Sequence, residues 1–266
     1  MDSATPDWFD CGVNLFSAQF AGSEQQVWLR AQQAGVSNML LIGSDITESL
    51  LNQQFCLSHR GCYTTAGVHP HQAGNVAADW LVQLNNLLAL PAVVAVGECG
   101  LDFNRDFSPR PVQQQVFASQ LQLAKQRQKP VYLHERDAFS TQLAMLTEQH
   151  INRGVAHCFT GDSSQLKAYL DLGLYIGITG WVCDERRGQS LQQAISYLPL
   201  DRILLETDAP YLLPRTLKPR PKHNEPAFIP AIAAEVCRLK NIDSQHLAAA
   251  CAANARRLFS LSGVAA

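Results

Sequence analysis

Short apolar runs alternate with longer amphipathic stretches along the whole chain. Strand-like runs begin at Trp8 (WFDCGVNL), Val36 (VSNMLLIGS), Tyr63 (YTTAGVH) and Val93 (VVAVGEC). They resume at Pro130 (PVYLHERD), Val155 (VAHCF), Leu174 (LYIGITGW) and Ile203 (ILLETDAP). Most are bounded by glycine or proline and rich in β-branched residues, as strands buried on both faces are. Between them lie segments of helical spacing. Val112–Gln128 carries Val116, Phe117, Leu121 and Ala124 on one face, Gln189–Tyr197 forms another helix, and a last helical region runs from Ala227 to about Phe259. Eight strand-plus-helix units in a chain of this length predict a (β/α)8 barrel of the TIM type. A doubly wound open sheet competes, but it favours a glycine-rich phosphate loop after the first strand. Phe16–Ser23 carries no GxGxxG, and no Walker-type GK[ST] occurs anywhere. The one proline cluster, Pro210 to Pro226, follows the last strand and reads as a long loop. With no dividing linker, residues 1–266 read as a single domain.

Composition narrows the function classes. The 266 residues are 47% hydrophobic, enough for a large core, and the formal net charge is −2. No global positive field attracts polyanions, so nucleic-acid binding would rest on a local basic patch. The eight cysteines are scattered without a CxxC pair, which points to reduced thiols rather than a disulfide framework or a zinc knuckle. Met1 to Phe9 lacks a basic segment followed by an apolar one, and no apolar run is long enough to cross a bilayer. The expectation is a cytoplasmic monomer with no membrane partner.

In barrels of this kind catalytic groups stand at the C-terminal ends of strands. Here those ends read Gly67-Val68-His69-Pro70-His71, Gly97-Glu98-Cys99-Gly100-Leu101-Asp102, Leu133-His134-Glu135-Arg136-Asp137, Ala156-His157-Cys158-Phe159 and Glu206-Thr207-Asp208-Ala209-Pro210. Strand alternation groups Val94, Val96 and Glu98 on one face. It groups Tyr132 with His134 and Arg136, Val155 with His157 and Phe159, and Leu204 with Glu206 and Asp208. If these faces point inward, two carboxylates and two imidazoles converge in a volume where unpaired polar groups are costly. A divalent cation resolves this, since carboxylate oxygens and neutral imidazole nitrogens are its ordinary ligands. The candidate ligands are Glu98, His134, His157 and Asp208. Each has a plainer reading: a strand-end histidine is often only hydrogen-bonded, Asp208 before Ala-Pro caps turns well, and Glu98 can pair with Arg136.

The motifs GVHPH, GECGLDFNRDFS, HERD, HCFTG, YIGITGWVCDERRG and ETDAPYLLPR, in this order and across nearly the whole chain, resemble the TatD family of metal-dependent deoxyribonucleases. The resemblance implies a TIM-type barrel acting on single-stranded DNA and RNA from the 3′ end, with Mg²⁺ as the metal. By motif, Glu98, His134 and His157 match the family's metal ligands. Asp208 matches a carboxylate that is either a ligand or the base for water, and His69 a histidine on the substrate side. Two positions depart from the wider family. Gly12 and Asn14 stand where an HxH pair helps hold a metal, so one ion or two remain open. Glu135 follows His134 where a cysteine is common, and alternation turns it away from the site.

The expected chemistry has a metal-activated water attacking the phosphodiester, with Glu98, Asp208 and His69 as catalytic groups. His69 or Arg136 neutralises charge on the phosphate. Two histidines are unusual for Mg²⁺, so Mn²⁺ is an equal candidate. His69, His71, Arg136, Trp181 and Arg215 are the expected substrate contacts. Arg215, Lys218, Arg220, Lys222 and His223, with Arg105, Arg186 and Arg187, offer a basic rim. Phe103, Phe159, Trp181 and Tyr211 offer stacking surfaces, Trp181 first among them. Three alternatives stay open: an ester or amide hydrolase of related fold, an aminoacyl-tRNA deacylase, and a non-catalytic nucleic-acid-binding barrel. No lysine stands at the quoted strand ends to bridge two metals, which speaks against the first.

Overall fold

The computed structural model describes residues 6–261; residues 1–5, on which part of the leader reading rested, and 262–266 lie outside it. The first half of the chain runs β1 (Trp8–Val13), α1 (Glu24–Gln33), β2 (Val36–Leu41), α2 (Ile46–Ser58), β3 (Cys62–Ala66), α3 (Trp80–Leu87), β4 (Val93–Asp102) and α4 (Arg110–Arg127). The second half runs β5 (Val131–Arg136), α5 (Phe139–Glu148), β6 (Gly154–Ala156), α6 (Ser163–Asp171), β7 (Tyr175–Ile178), α7 (Gln189–Ile195), β8 (Ile203–Leu205), α8 (Ile229–Lys240) and α9 (Ser244–Phe259). The strands form one eight-stranded sheet in the order of the chain. It curls into the expected (β/α)8 arrangement, and a parallel bridge between Val13 and Ala209 ties the last strand's end to the first. No helix among the described residues is long and apolar enough to cross a membrane.

Two compact units make up the chain. One comprises Leu41–His157 and Ala168–Tyr175. At its centre is β4, in which all ten residues are buried, as a strand covered on both sides must be. The expected face of α4 packs down through Val116, Phe117, Leu121 and Ala124, each larger side chain stabilising the fold by about 1.5–3 kcal/mol. The N-terminus of α2 is capped by Asp45, whose carboxylate accepts from the Glu48 N–H at 2.8 Å, worth about 1 kcal/mol. That cap fixes the turn Gly43-Ser44, whose carbonyls hold both His69 and Glu98.

Among the described residues, the other unit comprises 6–40, Cys158–Lys167 and 176–261. Here the helical region expected from Ala227 to Phe259 divides into α8 and α9. Asn241 ends α8 in a left-handed conformation (φ 52°), and Asp243 caps α9 by accepting from the His246 N–H at 2.7 Å. The last strand is also shorter than its apolar run, since β8 ends at Leu205. Asp208 sits beyond it with φ 55°. Strand alternation therefore does not reach Asp208, and the face shared by Leu204, Glu206 and Asp208 is corrected: a turn, not the pleat, directs that side chain. Cys158, just after β6, is likewise left-handed (φ 47°), so Phe159 does not continue the face of Val155 and His157.

Candidate metal centre

The site in the Leu41–His157 unit is built on two glycines. A β-carbon on Gly67 would stand 2.5 Å from the Gly97 backbone, and one on Gly97 would stand 2.3 Å from the Tyr132 carbonyl. Only glycine permits so close an approach of the two chains. His69 and Glu98 then leave neighbouring positions, the His69 N–H donating to Ser44 O and the Glu98 N–H to Gly43 O, both at 2.8 Å.

Three imidazoles surround one oxygen of Glu98. Its Oε1 lies 2.9 Å from Nδ1 of His134, 3.7 Å from Nε2 of His69 and 3.9 Å from Nε2 of His157. Burial opposes charge on Glu98, yet His69, His134 and His157 together hold its carboxyl well below the usual range. Burial also pushes His69 down to about 3, against the pull of Glu98. Its 3.7 Å approach is therefore an uncharged N–H facing a carboxylate rather than an ion pair. Burial would lower His134 too, but hydrogen bonds to Asp102 and Glu98 raise it to about 9.

The remaining ring nitrogens decide what each histidine can do. Nδ1 of His69 accepts from the His71 N–H at 3.1 Å, so the proton of the neutral ring sits on Nε2. His69, Glu98 and His134 bring ligand atoms within 4.8 Å of one another, but in this arrangement His69 presents a hydrogen rather than a lone pair. Nδ1 of His157 is bound to the Tyr132 hydroxyl at 2.6 Å, which directs Nε2 toward Glu98. Nε2 of His134 lies 3.3 Å from Oδ2 of Asp102, and Nε2 of His71 lies 2.8 Å from the same oxygen. A carboxylate only accepts, so both Nε2 atoms carry hydrogen, and so does Nδ1 of His134 where it faces Glu98; that second proton is the one a cation would displace. Oδ1 of Asp102 takes the N–H groups of Asn104 at 3.0 Å and Arg105 at 2.8 Å. Burial works against its charge, but His134, His71 and the Arg105 N–H hold Asp102 ionised far below the ordinary range.

A divalent cation fits this donor set. A buried carboxylate and two imidazole nitrogens converge, each imidazole fixed through its other nitrogen by a hydrogen-bond partner, as metal-binding histidines are. The residues that would hold the ion are Glu98, His134 and His157.

In its own unit, Asp208 accepts at Oδ1 from the side-chain amide of Asn14 at 2.9 Å, and its N–H donates to Gly12 O at 2.8 Å. Asn14, in the place of a histidine of the wider family, turns its N–H to Asp208, because a carboxylate has only acceptors to meet it. Arg136 is exposed rather than buried against Glu98, and Glu135 turns aside to accept from the Ala138 N–H at 2.7 Å. The Arg187 guanidinium covers the Trp181 ring at 4.5 Å. Buried Asp184 pairs with Arg187 at 3.0 Å and Arg215 at 3.3 Å, so the basic rim carries an internal counter-charge. Asp102 and Tyr132 received no role from the sequence. For Asp102 a signal existed: it stands four residues after Glu98, on the same face by alternation.

Fold and site together define a metal-dependent hydrolase of the (β/α)8 class. The chain belongs to the TatD family: it matches the family described as TatD related DNase across residues 9–260. It is 50% identical over 260 residues to the 3'-5' ssDNA/RNA exonuclease TatD of Rahnella sp. (strain Y9602), covering 96% of this chain and 98% of that one. It is 49% identical over 257 residues to the protein of the same name from Klebsiella pneumoniae (strain 342), covering 95% and 98%. Among solved structures it is similar to YJJV, a TatD homologue of Escherichia coli K12, with TM-score 0.89 and 29% identity over 97% of this chain and 100% of that one. A promiscuous lactonase engineered for organophosphate hydrolysis shares only the fold, at TM-score 0.67 and 13% identity.

Proposed function

We propose that this protein is a metal-dependent nuclease that degrades single-stranded DNA and RNA from the 3′ end. The observation that carries the reading is the convergence of three imidazole nitrogens on Oε1 of Glu98, within 3.9 Å. Relatives at about half identity over nearly the full length bear the name of such an exonuclease.

Glu98, His134 and His157 hold the ion. Mg²⁺ is the ion we assign, and Mn²⁺ replaces it well because imidazole suits the softer ion better. When bound, the cation supplies Lewis acidity toward the phosphodiester and lowers the pKa of a water. His69, neutral near pH 7, donates its Nε2 hydrogen to the phosphate and supplies no charge of its own. Exposed Arg136 takes the charge-neutralising role that the sequence left between these two residues. His71 is fixed by Asp102 at the edge of the site and contacts the substrate there. Asp208 orients the attacking water and accepts its proton; its place past the last strand, where (β/α)8 enzymes keep catalytic groups, and its tether to Asn14 support that role. Trp181 with Arg187 over it, and Arg215, form a substrate-facing surface whose contacts weaken with salt. The whole chain, 1–266, works as one catalytic domain and as a monomer. We place it in the cytoplasm, in keeping with eight free and mostly buried thiols.

The test is Glu98→Gln, which keeps the shape of the side chain and removes its charge. Loss of an outer partner of a metal ligand costs about 10–100-fold, so loss of this ligand should lower cleavage of a 5′-labelled single strand by more than about 100-fold. An unchanged melting profile would show that the fold survives. Wild-type rates in that variant, with trace metal controlled, would overturn the assignment.

A further inference from the structure

We propose that Phe107 is the platform on which the nucleobase beside the scissile phosphodiester stacks. The proposal rests on the nuclease reading and names the substrate group that reading leaves unplaced. Phe107 is 67% exposed, an unfavourable state for a large apolar ring. It stands at the edge of the metal centre, its ring 4.7 Å from that of His71 and nearly perpendicular to it. His71 in turn lies 6.1 Å, ring to ring, from His134.

The loop that carries Phe107 is anchored on both sides. Before it, the N–H groups of Asn104 and Arg105 are held by Asp102. After it, the Ser108 hydroxyl donates to His71 O at 3.1 Å and accepts from the Gly74 N–H at 2.9 Å. Gln113 clamps the two sides together, donating to the carbonyls of both Asp102 and Ser108. The ring's exposure therefore belongs to a fixed loop whose anchor, Asp102, is the carboxylate that orients His134. A strand whose phosphate meets His69 and His134 has its adjoining base one nucleotide's span away, and a flat aromatic ring accepts any base through its π-face. Exposed Arg105, two residues earlier, adds positive charge to the same loop. Asp106 and Arg110 pair with each other at 2.7 Å, so neither offers an uncompensated charge there.

The experiment compares wild type, Phe107→Ala and Phe107→Trp with Mn²⁺ on two single-stranded oligonucleotides. One has an ordinary base at the cleaved end and the other an abasic residue there. Stacking of one base predicts that Phe107→Ala lowers kcat/KM about 5- to 100-fold on the ordinary strand, mainly through KM. Phe107→Trp should restore it, and on the abasic strand wild type and Phe107→Ala should coincide. Equal rates on the ordinary strand, or an equal loss on both strands, would overturn the proposal. Affinities of the same oligonucleotides, measured without turnover, separate the two levels of the argument. A wild type that binds but never cleaves refutes the nuclease reading, whereas equal binding by wild type and Phe107→Ala refutes the stacking platform.

Discussion

Replacing Asp102 by asparagine should weaken metal binding although Asp102 is not among the proposed ligands. Oδ1 of Asp102 accepts two backbone N–H groups, at 3.0 and 2.8 Å, so an asparagine must place its amide oxygen there. Its NH₂ then occupies the position of Oδ2 and directs hydrogens at Nε2 of His71 and Nε2 of His134, now 2.8 and 3.3 Å away. His134 must shed one of its two protons to bind an ion, and to accept that hydrogen bond it must keep the other on Nδ1, the atom 2.9 Å from Glu98 that is proposed as the ligand. Keeping the proton on Nε2 instead leaves two donors facing each other. Either outcome removes the preorganised ligand, a loss of about 10–100-fold in affinity, or about 1.4–2.8 kcal/mol. Calorimetric titration of Mn²⁺ into metal-free wild type and Asp102→Asn measures this directly, and nitrogen NMR of His134 reports which ring atom is protonated. An affinity within twofold of wild type, with His134 still protonated at Nε2, would refute the reasoning.

Two further outcomes follow from the other unit. Burial pushes Asp10 up to about 8, against hydrogen bonds from Thr207 and Gly12. A carboxyl whose folded pKa is raised contributes stability that is full below its unfolded value, near 3.8, and is lost as pH rises toward about 8. Asparagine mimics the protonated acid, so Asp10→Asn should gain on wild type by up to about 1.4 kcal/mol per pH unit across that window; parallel denaturation curves from pH 5 to pH 8 would refute it. Asn14→Ala removes the amide hydrogen bond to Oδ1 of Asp208. If Asp208 is the base, kcat should fall about tenfold while Mn²⁺ affinity stays unchanged, and a matching drop in affinity would make Asp208 a ligand instead.

The sequence made the barrel legible because its strands are buried on both faces and read as uninterrupted apolar runs between turn residues. It also brought out Glu98 and His134, which lie within β4 and β5, and His69, three residues past β3, because each closes an apolar run. Where the backbone leaves the pleat the reading stopped. Asp208 and Cys158 are left-handed, and alternation says nothing about side chains beyond such a residue. The break between α8 and α9 was written in Asn241 and Asp243, but continuous apolar spacing on either side concealed it. Asp102 and Phe107 lie in a run, Asp-Phe-Asn-Arg-Asp-Phe-Ser, that resembles any polar loop. Only the folding of that loop onto His71 gives them a role. Trp181 shows the reverse, being conspicuous in sequence but covered by Arg187 through a contact six residues along the chain.

The central claim is that Glu98 gathers His134 and His157 around one divalent ion. Anomalous diffraction from a crystal soaked in Mn²⁺ tests it most directly. The account predicts a peak bonded to Glu98, to Nδ1 of His134 and to Nε2 of His157, with Nε2 of His69 outside bonding distance. A peak held by His69 in place of His157, or none beside Glu98 at saturating Mn²⁺, would contradict it.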